Sequence, residues 1–376
     1  MKQTNFQLFD FLDFSPELNE GDRLWRACLP TDVQEINGSI LVTIPFQLQN
    51  NSNEITPDIS VPRKEYVMRI QALNEKILRV SMAFSGDIQE TSEMLELDDN
   101  LQNLALRIEI LAEQWIIKDE NGSKRATFNF SKAQTDWWSD LLPAPAETFF
   151  LSLFPDGKKE VALSAYDMFS PTRHDAFALA YVERNGEANR STFSFQTKPD
   201  ECFYGTGERF TKMDLSGKTF QLRNQDGQGV NNRRTYKNIP FYLSSENYGV
   251  FVHTSAFAKF SLADHSTRSA QVLVEEPLVD FFVIGGENPE QILFGYRQLT
   301  GFPTMPPLWS FGTWMSRMTY FSADEVNDIC DRMRTEDFPC DVIHLDTGWF
   351  ETDWLCEWKF NDERFPNPPQ FIQNLK

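Results

Sequence analysis

The hydrophobic period of this chain changes once, and the change divides it. From about residue 36 to residue 286 apolar residues recur in short runs of period two, separated by Gly, Asn, Asp and Pro, as expected of antiparallel strands with one buried face. The clearest run is Leu104, Leu106, Ile108 and Ile110, whose intervening Ala105, Arg107 and Glu109 would face solvent or a second layer. Asn121-Gly122, between Trp115-Ile116-Ile117 and Phe128-Asn129-Phe130, marks a hairpin turn, because that dipeptide tolerates positive φ. More strands are expected at 191–195, 249–252, 270–274 and 281–284. A large β-sandwich over residues 1–286 is the economical fold.

At Asn288-Pro289 the period becomes helical. Asn288 can cap and Pro289 can open a helix through Ile292, Leu293, Tyr296 and Leu299, ending at Gly301. Pro303-Thr304-Met305-Pro306-Pro307 is then stiff, so residues 287–307 read as a linker helix and connector. The remainder, 308–376, reads β-α-β-α. A strand at 308–314 is followed by a loop and by Ser322-Ala323-Asp324-Glu325, a capping box that opens a helix with Val326, Ile329, Cys330 and Met333 on one face. A strand at 342–345 and a helix from near Pro368 complete the pattern. Two βα units belong in a parallel sheet covered by helices, whereas a (β/α)₈ barrel needs roughly 250 residues. The expectation is an incomplete barrel, the chain being a fragment or packing its last units on something else.

The formal net charge of −20, from 35 Lys+Arg against 55 Asp+Glu, repels phosphate backbones and anionic lipid and argues against nucleic-acid or membrane partners. Cys28, Cys202, Cys330, Cys340 and Cys356 show no C-x-x-C or Cys/His ligand spacing, which suits reduced thiols in a cytoplasmic protein without a metal. The first residues mix Phe and Leu with Asp10, Asp13 and Glu17, so no secretory leader is expected. The sequence leaves a homo-oligomer open.

Val342-Ile343-His344-Leu345-Asp346-Thr347-Gly348-Trp349 is an apolar run that ends on a carboxylate, a glycine and an indole. The C-terminal ends of parallel barrel strands carry active sites. Asp346 is therefore either a loop-bonding aspartate or an acceptor for sugar hydroxyls, with Trp349 as a plane for the C–H face of the ring. Gly205-Thr206-Gly207-Glu208-Arg209-Phe210 lacks the third glycine of a dinucleotide loop. It reads as a tight turn with Glu208 and Arg209 paired or bonded to nearby backbone. Gln225-Asp226-Gly227-Gln228-Gly229 is a plain turn or a loop that places Asp226 on a ligand, and the aromatic and polar run 236–242 suits a loop packed against a neighbouring domain. Trp354, Cys356, Trp358 and Phe360 alternate, either as one buried face of an extended segment or as a pocket wall.

Four blocks taken together resemble glycoside hydrolase family 31. They are Phe203-Tyr204-Gly205-Thr206-Gly207-Glu208-Arg209-Phe210, Tyr236-Lys237-Asn238-Ile239-Pro240-Phe241-Tyr242, Leu308-Trp309-Ser310-Phe311-Gly312-Thr313-Trp314 and His344-Leu345-Asp346-Thr347-Gly348-Trp349. Trp354-Leu355-Cys356-Glu357-Trp358 and Phe365-Pro366-Asn367-Pro368 look most like the bacterial α-xylosidase branch, with α-glucosidases next. The resemblance implies a galactose-mutarotase-like sandwich before a catalytic barrel. It further implies a retaining hydrolase of terminal α-linked xylose or glucose in oligosaccharides, without metal or organic cofactor. The nucleophile and acid/base aspartates of such an enzyme lie on later barrel strands, beyond Lys376. By the same resemblance Asp346 binds hydroxyls of the non-reducing sugar, Asp226 reaches the aglycone side and Trp349 flanks the pocket. Trp314 falls in the third block, and the loop after the first barrel strand, with Tyr320 and Phe321, supplies the bulk that favours xylose. A carbohydrate-binding sandwich without catalysis, or a truncated product, is the alternative.

Overall fold

The computed structural model describes residues 21–48, 62–130, 150–164, 177–226 and 234–376. The acidic residues near the N-terminus and Gly227 to Gly229 lie outside this set. The chain divides into two compact units, residues 1–302 and residues 303–376.

Among the described residues, the first unit is built from nineteen strands, all paired antiparallel. One layer runs Phe203–Gly207, Asn238–Ser244, Tyr248–Val252, Leu278–Gly285, Ile77–Ala83, Arg63–Ala72 and Ser39–Leu48, in order of pairing. The facing layer runs Lys218–Leu222, Ala258–Leu262, Ser269–Val274 and Glu187–Gln196. It continues through Val161–Ser164, Phe150–Leu153, Lys124–Asn129, Gln114–Asp119 and Leu106–Ile110. The strand Asp22–Ala27 joins the layers, pairing with Ser39–Leu48 on one edge and with Leu179–Arg184 on the other.

Period-two side chains fill the space between the layers. Ile40, Val42, Ile44 and Phe46 alternate inward from one strand, Leu78, Val80 and Met82 from another, and Val279, Phe281 and Val283 from a third, and all belong to one buried cluster. Phe193 and Phe281 lie on strands of opposite layers and stack with ring centroids 4.8 Å apart. Burying side chains of this size stabilises the fold by roughly 1.5–3 kcal/mol each. The reverse face of Leu278–Gly285 is apolar too, through Phe282 and Ile284, and α1 (Pro289–Thr300) covers it with Ile292 and Leu299. Helix and sheet come close because Gly295 carries no side chain, and a Cβ there would stand 2.6 Å from Ile284. The capping read from the sequence is present, with Asn288 accepting from the Gln291 N–H at 3.0 Å and Gly301 at φ +88°. The helix expected to act as a linker thus belongs to the apolar packing of the first unit.

The Asn121-Gly122 hairpin is present, with Gly122 at φ +81° and the Asp119 carboxylate accepting from the N–H groups of Asn121 and Ser123. The run at 104–110 is graded: Leu106 is buried, and Ile110 at the strand's far end is 62% exposed. Gly205, Thr206 and Gly207 all have positive φ and form a bulge against Asn238–Ser244. Arg209 donates to Thr206 Oγ1 at 2.9 Å, to Asn238 Oδ1 and to the Gln221 carbonyl at 3.4 Å, while Lys237 pairs with Glu208 at 3.0 Å. Burial pushes the Arg209 guanidinium down to about 10. The local-pairing reading of this block therefore holds.

Two expectations are corrected. The segment 308–314 is not one strand but a 3₁₀ turn, Leu308–Phe311, followed by the short strand Trp314–Ser316. Pro306 and Pro307 fix φ ahead of it, and Gly312 closes the turn by donating to the Trp309 carbonyl at 3.0 Å. The segment 354–360 is not extended, because Trp354, Cys356 and Trp358 have φ of 66°, 53° and 55°. Trp354 and Trp358 are exposed, so the alternation there does not mark a buried face.

Two predictions follow from the sandwich. A Cβ at Gly207 would lie 2.0 Å from the Lys237 carbonyl oxygen at φ +92°, whereas at Gly122 it would meet nothing within 4 Å. Gly122→Ala should cost about 1 kcal/mol from backbone strain alone. Gly207→Ala should cost at least about 3 kcal/mol, since steric overlap adds to that strain, and urea unfolding measures the difference. The second concerns Asp22, whose carboxylate is enclosed and accepts from Arg184 at 2.6 and 2.9 Å and from Arg190 at 2.7 Å. Burial raises its pKa, but Arg184 and Arg190 outweigh burial and hold it below the ordinary 3.8. A depressed folded-state pKa contributes stability that is present above the unfolded value and lost as pH falls through the folded one. Stability should therefore decline on acidification below about pH 4. Asp22→Asn should cost on the order of 3 kcal/mol at neutral pH by removing the buried negative charge that Arg184 and Arg190 share and should flatten the acid limb of the stability curve.

Candidate functional site

The second unit contains two parallel strands, Trp314–Ser316 and Val342–His344, paired Trp314 to Val342 through Ser316 to His344. Between them lies α2 (Ala323–Thr335), and α3 (Pro368–Leu375) follows. Tyr320, Ala323, Val326, Phe365 and Phe371 form a small buried cluster, with Ile343, Leu345, Trp349 and Phe360 packed against it. The helix starts where the capping box predicts, Ser322 Oγ accepting from the Glu325 N–H at 3.1 Å. The Glu325 carboxylate accepts from the Phe321 N–H at 2.8 Å and from Arg317 at 2.7 Å, which pins the loop after the first strand. Arg317 also lies over the Tyr320 ring, 5.6 Å from its centroid.

Asp346 stands two residues beyond the second strand, partly buried, at φ 59° and ψ −139°. That conformation borders on one that glycine alone enters readily, and holding a non-glycine residue there costs of order 1–3 kcal/mol. The surroundings impose it. Thr319, in the loop after the first strand, forms an isolated antiparallel bridge with Asp346. Gly348 lets the two loops touch, since a Cβ there would fall 2.0 Å from Thr319 Oγ1 and 2.5 Å from the Tyr320 carbonyl oxygen. Strain concentrated on a carboxylate at the C-terminal end of a parallel strand is a feature of binding and catalytic positions.

The structure brings Asp346, Trp349, Tyr320 and Phe321 onto the loops at the C-terminal ends of the two strands. Tyr320 is buried in the cluster below them, where burial pushes its phenol up, and Phe321 is 67% exposed. The Trp349 indole is half-buried against Phe350 and Phe360, with ring centroids at 4.3 and 4.6 Å. Trp314 is not part of this group. It opens its strand, at the end opposite Asp346, and its Nε1 donates to the Ser310 carbonyl at 3.0 Å. Asp226 belongs to the first unit and is exposed there. Sequence reasoning missed Thr319 and the steric role of Gly348. A glycine two residues past a strand-end aspartate was the available signal for a close approach of backbone.

Comparison with known proteins accounts for both units. Residues 67–260 match the glycosyl hydrolase 31 N-terminal galactose mutarotase-like domain, and residues 303–376 match the TIM-barrel domain of the same family. An α-xylosidase, XylQ, of Lactiplantibacillus pentosus is 38% identical over 178 residues, covering 47% of this chain and 23% of the relative. An α-xylosidase of Emericella nidulans is 36% identical over a stretch of the same length and coverage. The chain thus matches about a quarter of the length of these relatives. Among solved structures, a family 31 dextranase of Flavobacterium johnsoniae aligns over 93% of this chain and 37% of its own, with a TM-score of 0.67 at 19% identity. An α-xylosidase from a soil metagenome, complexed with xylose, aligns over 92% of this chain and 45% of its own, with a TM-score of 0.65 at 17% identity. At such identity these two likenesses speak for the fold. With a β-sandwich followed by the opening strands of a parallel barrel, and with both units matched by models of one family, the chain belongs to glycoside hydrolase family 31.

Proposed function

We propose that this chain supplies the N-terminal portion of a retaining α-glycosidase that removes terminal α-linked xylose, or glucose, from oligosaccharides. The observation that carries the reading is Asp346: a strained, partly buried carboxylate on the strand-end loops of a family 31 barrel start, with Trp349 three residues on. In this role Asp346 accepts hydrogen bonds from the hydroxyls of the terminal sugar, and charged acceptors make the stronger bonds. Phe321, exposed on the loop after the first strand, limits the room left for a hexose CH₂OH. Excluding one such group is worth about 1–3 kcal/mol, by analogy with a methylene-sized pocket difference. The names of the relatives at 38% and 36% identity favour xylose.

Retention requires two carboxylates about 5 Å apart, one attacking the anomeric carbon and one protonating the leaving oxygen. In this reading both come from barrel strands that follow residue 376. None of the five cysteines is joined in a disulfide, which supports a cytoplasmic location, and no helix among the described residues is long and apolar enough to cross a membrane.

Release of 4-nitrophenol from α-xyloside and α-glucoside substrates tests the proposal, run on residues 1–376 and on a polypeptide extended by the coding sequence that follows. The extended protein is predicted to turn over, with higher kcat/KM on the xyloside, and the shorter chain to be inactive. Hydrolysis by the shorter chain would place the catalytic carboxylates wrongly. Sugar binding with no hydrolysis by either form would favour a carbohydrate-binding module.

A further inference from the structure

Within the first unit, three side chains from distant parts of the sandwich meet in one line. Ser92 Oγ lies 2.6 Å from His253 Nε2, and His253 Nδ1 lies 2.8 Å from Asp280 Oδ2. The Asp280 side chain is fully enclosed, His253 is 6% exposed, and Ser92 sits in a loop between the exposed Thr91 and Glu93. Backbone pairing sets the arrangement, because the His253 N–H donates to the Asp280 carbonyl at 2.9 Å. With Nδ1 donating to the Asp280 carboxylate, Nε2 is the ring nitrogen left to accept from the Ser92 hydroxyl. Arg79 fixes the far end. It donates to both Asp280 oxygens at 2.9 and 2.7 Å, and to the Gln89 carbonyl, in the loop that carries Ser92, at 2.8 Å. The hydroxyl oxygen accepts one further bond, from the Met94 N–H at 3.1 Å.

We propose that Ser92, His253 and Asp280 form a second reactive site, on the sandwich unit, that accepts small carboxylic esters and transfers their acyl group to water. A hydroxyl hydrogen-bonded to a base that is itself oriented by a third group is the arrangement that activates a serine nucleophile. Ser92 Oγ attacks the ester carbonyl carbon while its proton passes to His253 Nε2. Attack leaves a tetrahedral intermediate with the negative charge on the former carbonyl oxygen. Collapse breaks the bond to the alcohol oxygen, which leaves with the proton from His253. Water, deprotonated by the same nitrogen, then attacks the acyl-Ser92 ester; the Oγ–acyl bond breaks, His253 Nε2 returns the proton to Ser92 Oγ, and the carboxylic acid is released. Arg79 shares the carboxylate and so weakens its pull on the imidazole proton, which makes slow turnover the expectation. Ser92 and His253 are the groups that touch substrate; Asp280 and Arg79 position them.

The test is reaction of the folded protein with a fluorophosphonate, read by intact mass and peptide mapping. The expected result is a single adduct on Ser92, absent in Ser92→Ala and formed at least tenfold more slowly in His253→Gln. 4-Nitrophenyl acetate should give a burst approaching one nitrophenol per chain in the wild type alone. Where His253→Gln proves unfolded by circular dichroism, the comparison is wild type in buffer against wild type in urea, and selective labelling of Ser92 should vanish with the fold. Absence of a Ser92 adduct in the folded wild type would overturn the proposal. So would labelling that is indifferent to His253→Gln or to unfolding.

Discussion

The architecture depends on apolar packing between the two antiparallel layers. Phe193 against Phe281, and the inward rows Ile40 to Phe46 and Val279 to Val283, bind strands far apart in sequence into one core. Because Leu278–Gly285 is also apolar on its reverse face, the sheet needs a cover, and α1 provides it with Ile292 and Leu299. That packing determines where the chain leaves the sandwich: directly after Gly301, at a boundary that falls between residues 302 and 303. Core contacts also hold functional groups. Arg79, His253 and Asp280 project from the same covered strands or their ends, so the polar line that reaches Ser92 is only as rigid as the sheet beneath it.

The second unit shows the opposite economy. Its buried cluster is small, yet it holds Asp346 in a conformation that costs of order 1–3 kcal/mol. The Thr319 bridge and the bare Cα of Gly348 leave the backbone at Asp346 little freedom, so the strand-end loop is held in one conformation before any ligand arrives. Pre-organisation of this kind favours binding of a neutral polar ligand, because less ordering is required at the moment of contact.

Much of this was legible in the sequence. Period-two patterning revealed the sandwich, Asn288-Pro289 and Ser322-Ala323-Asp324-Glu325 marked helix starts that the structure confirms, and Asp346 was legible as a charge at the end of an apolar strand. The errors have physical causes. At 354–358 alternate residues with positive φ copy the spacing of a strand while reversing the backbone, so periodicity alone cannot separate the two. At 308–314 consecutive apolar residues read as a strand, but the preceding prolines and Gly312 favour a tight turn. Trp314 was read by its block and not by its register, which places it at the start of the strand. The Ser92, His253 and Asp280 line carried no local signal, because its members are separated by 161 and 27 residues and meet only through sheet pairing.

The central claim is that Asp346 holds the sugar, and its most direct test is Asp346→Asn in the extended, active polypeptide. Asparagine matches aspartate in size and shape and places the same demand on the backbone, so thermal stability should stay close to that of the parent while the charged acceptor is lost. Hydrogen bonds to charged groups are worth about 1.5–3 kcal/mol, so kcat/KM on the α-xyloside should fall by roughly 10- to 150-fold with the melting temperature little changed. An unchanged kcat/KM, or a loss that merely tracks unfolding, would show that Asp346 shapes the loop and does not bind the substrate.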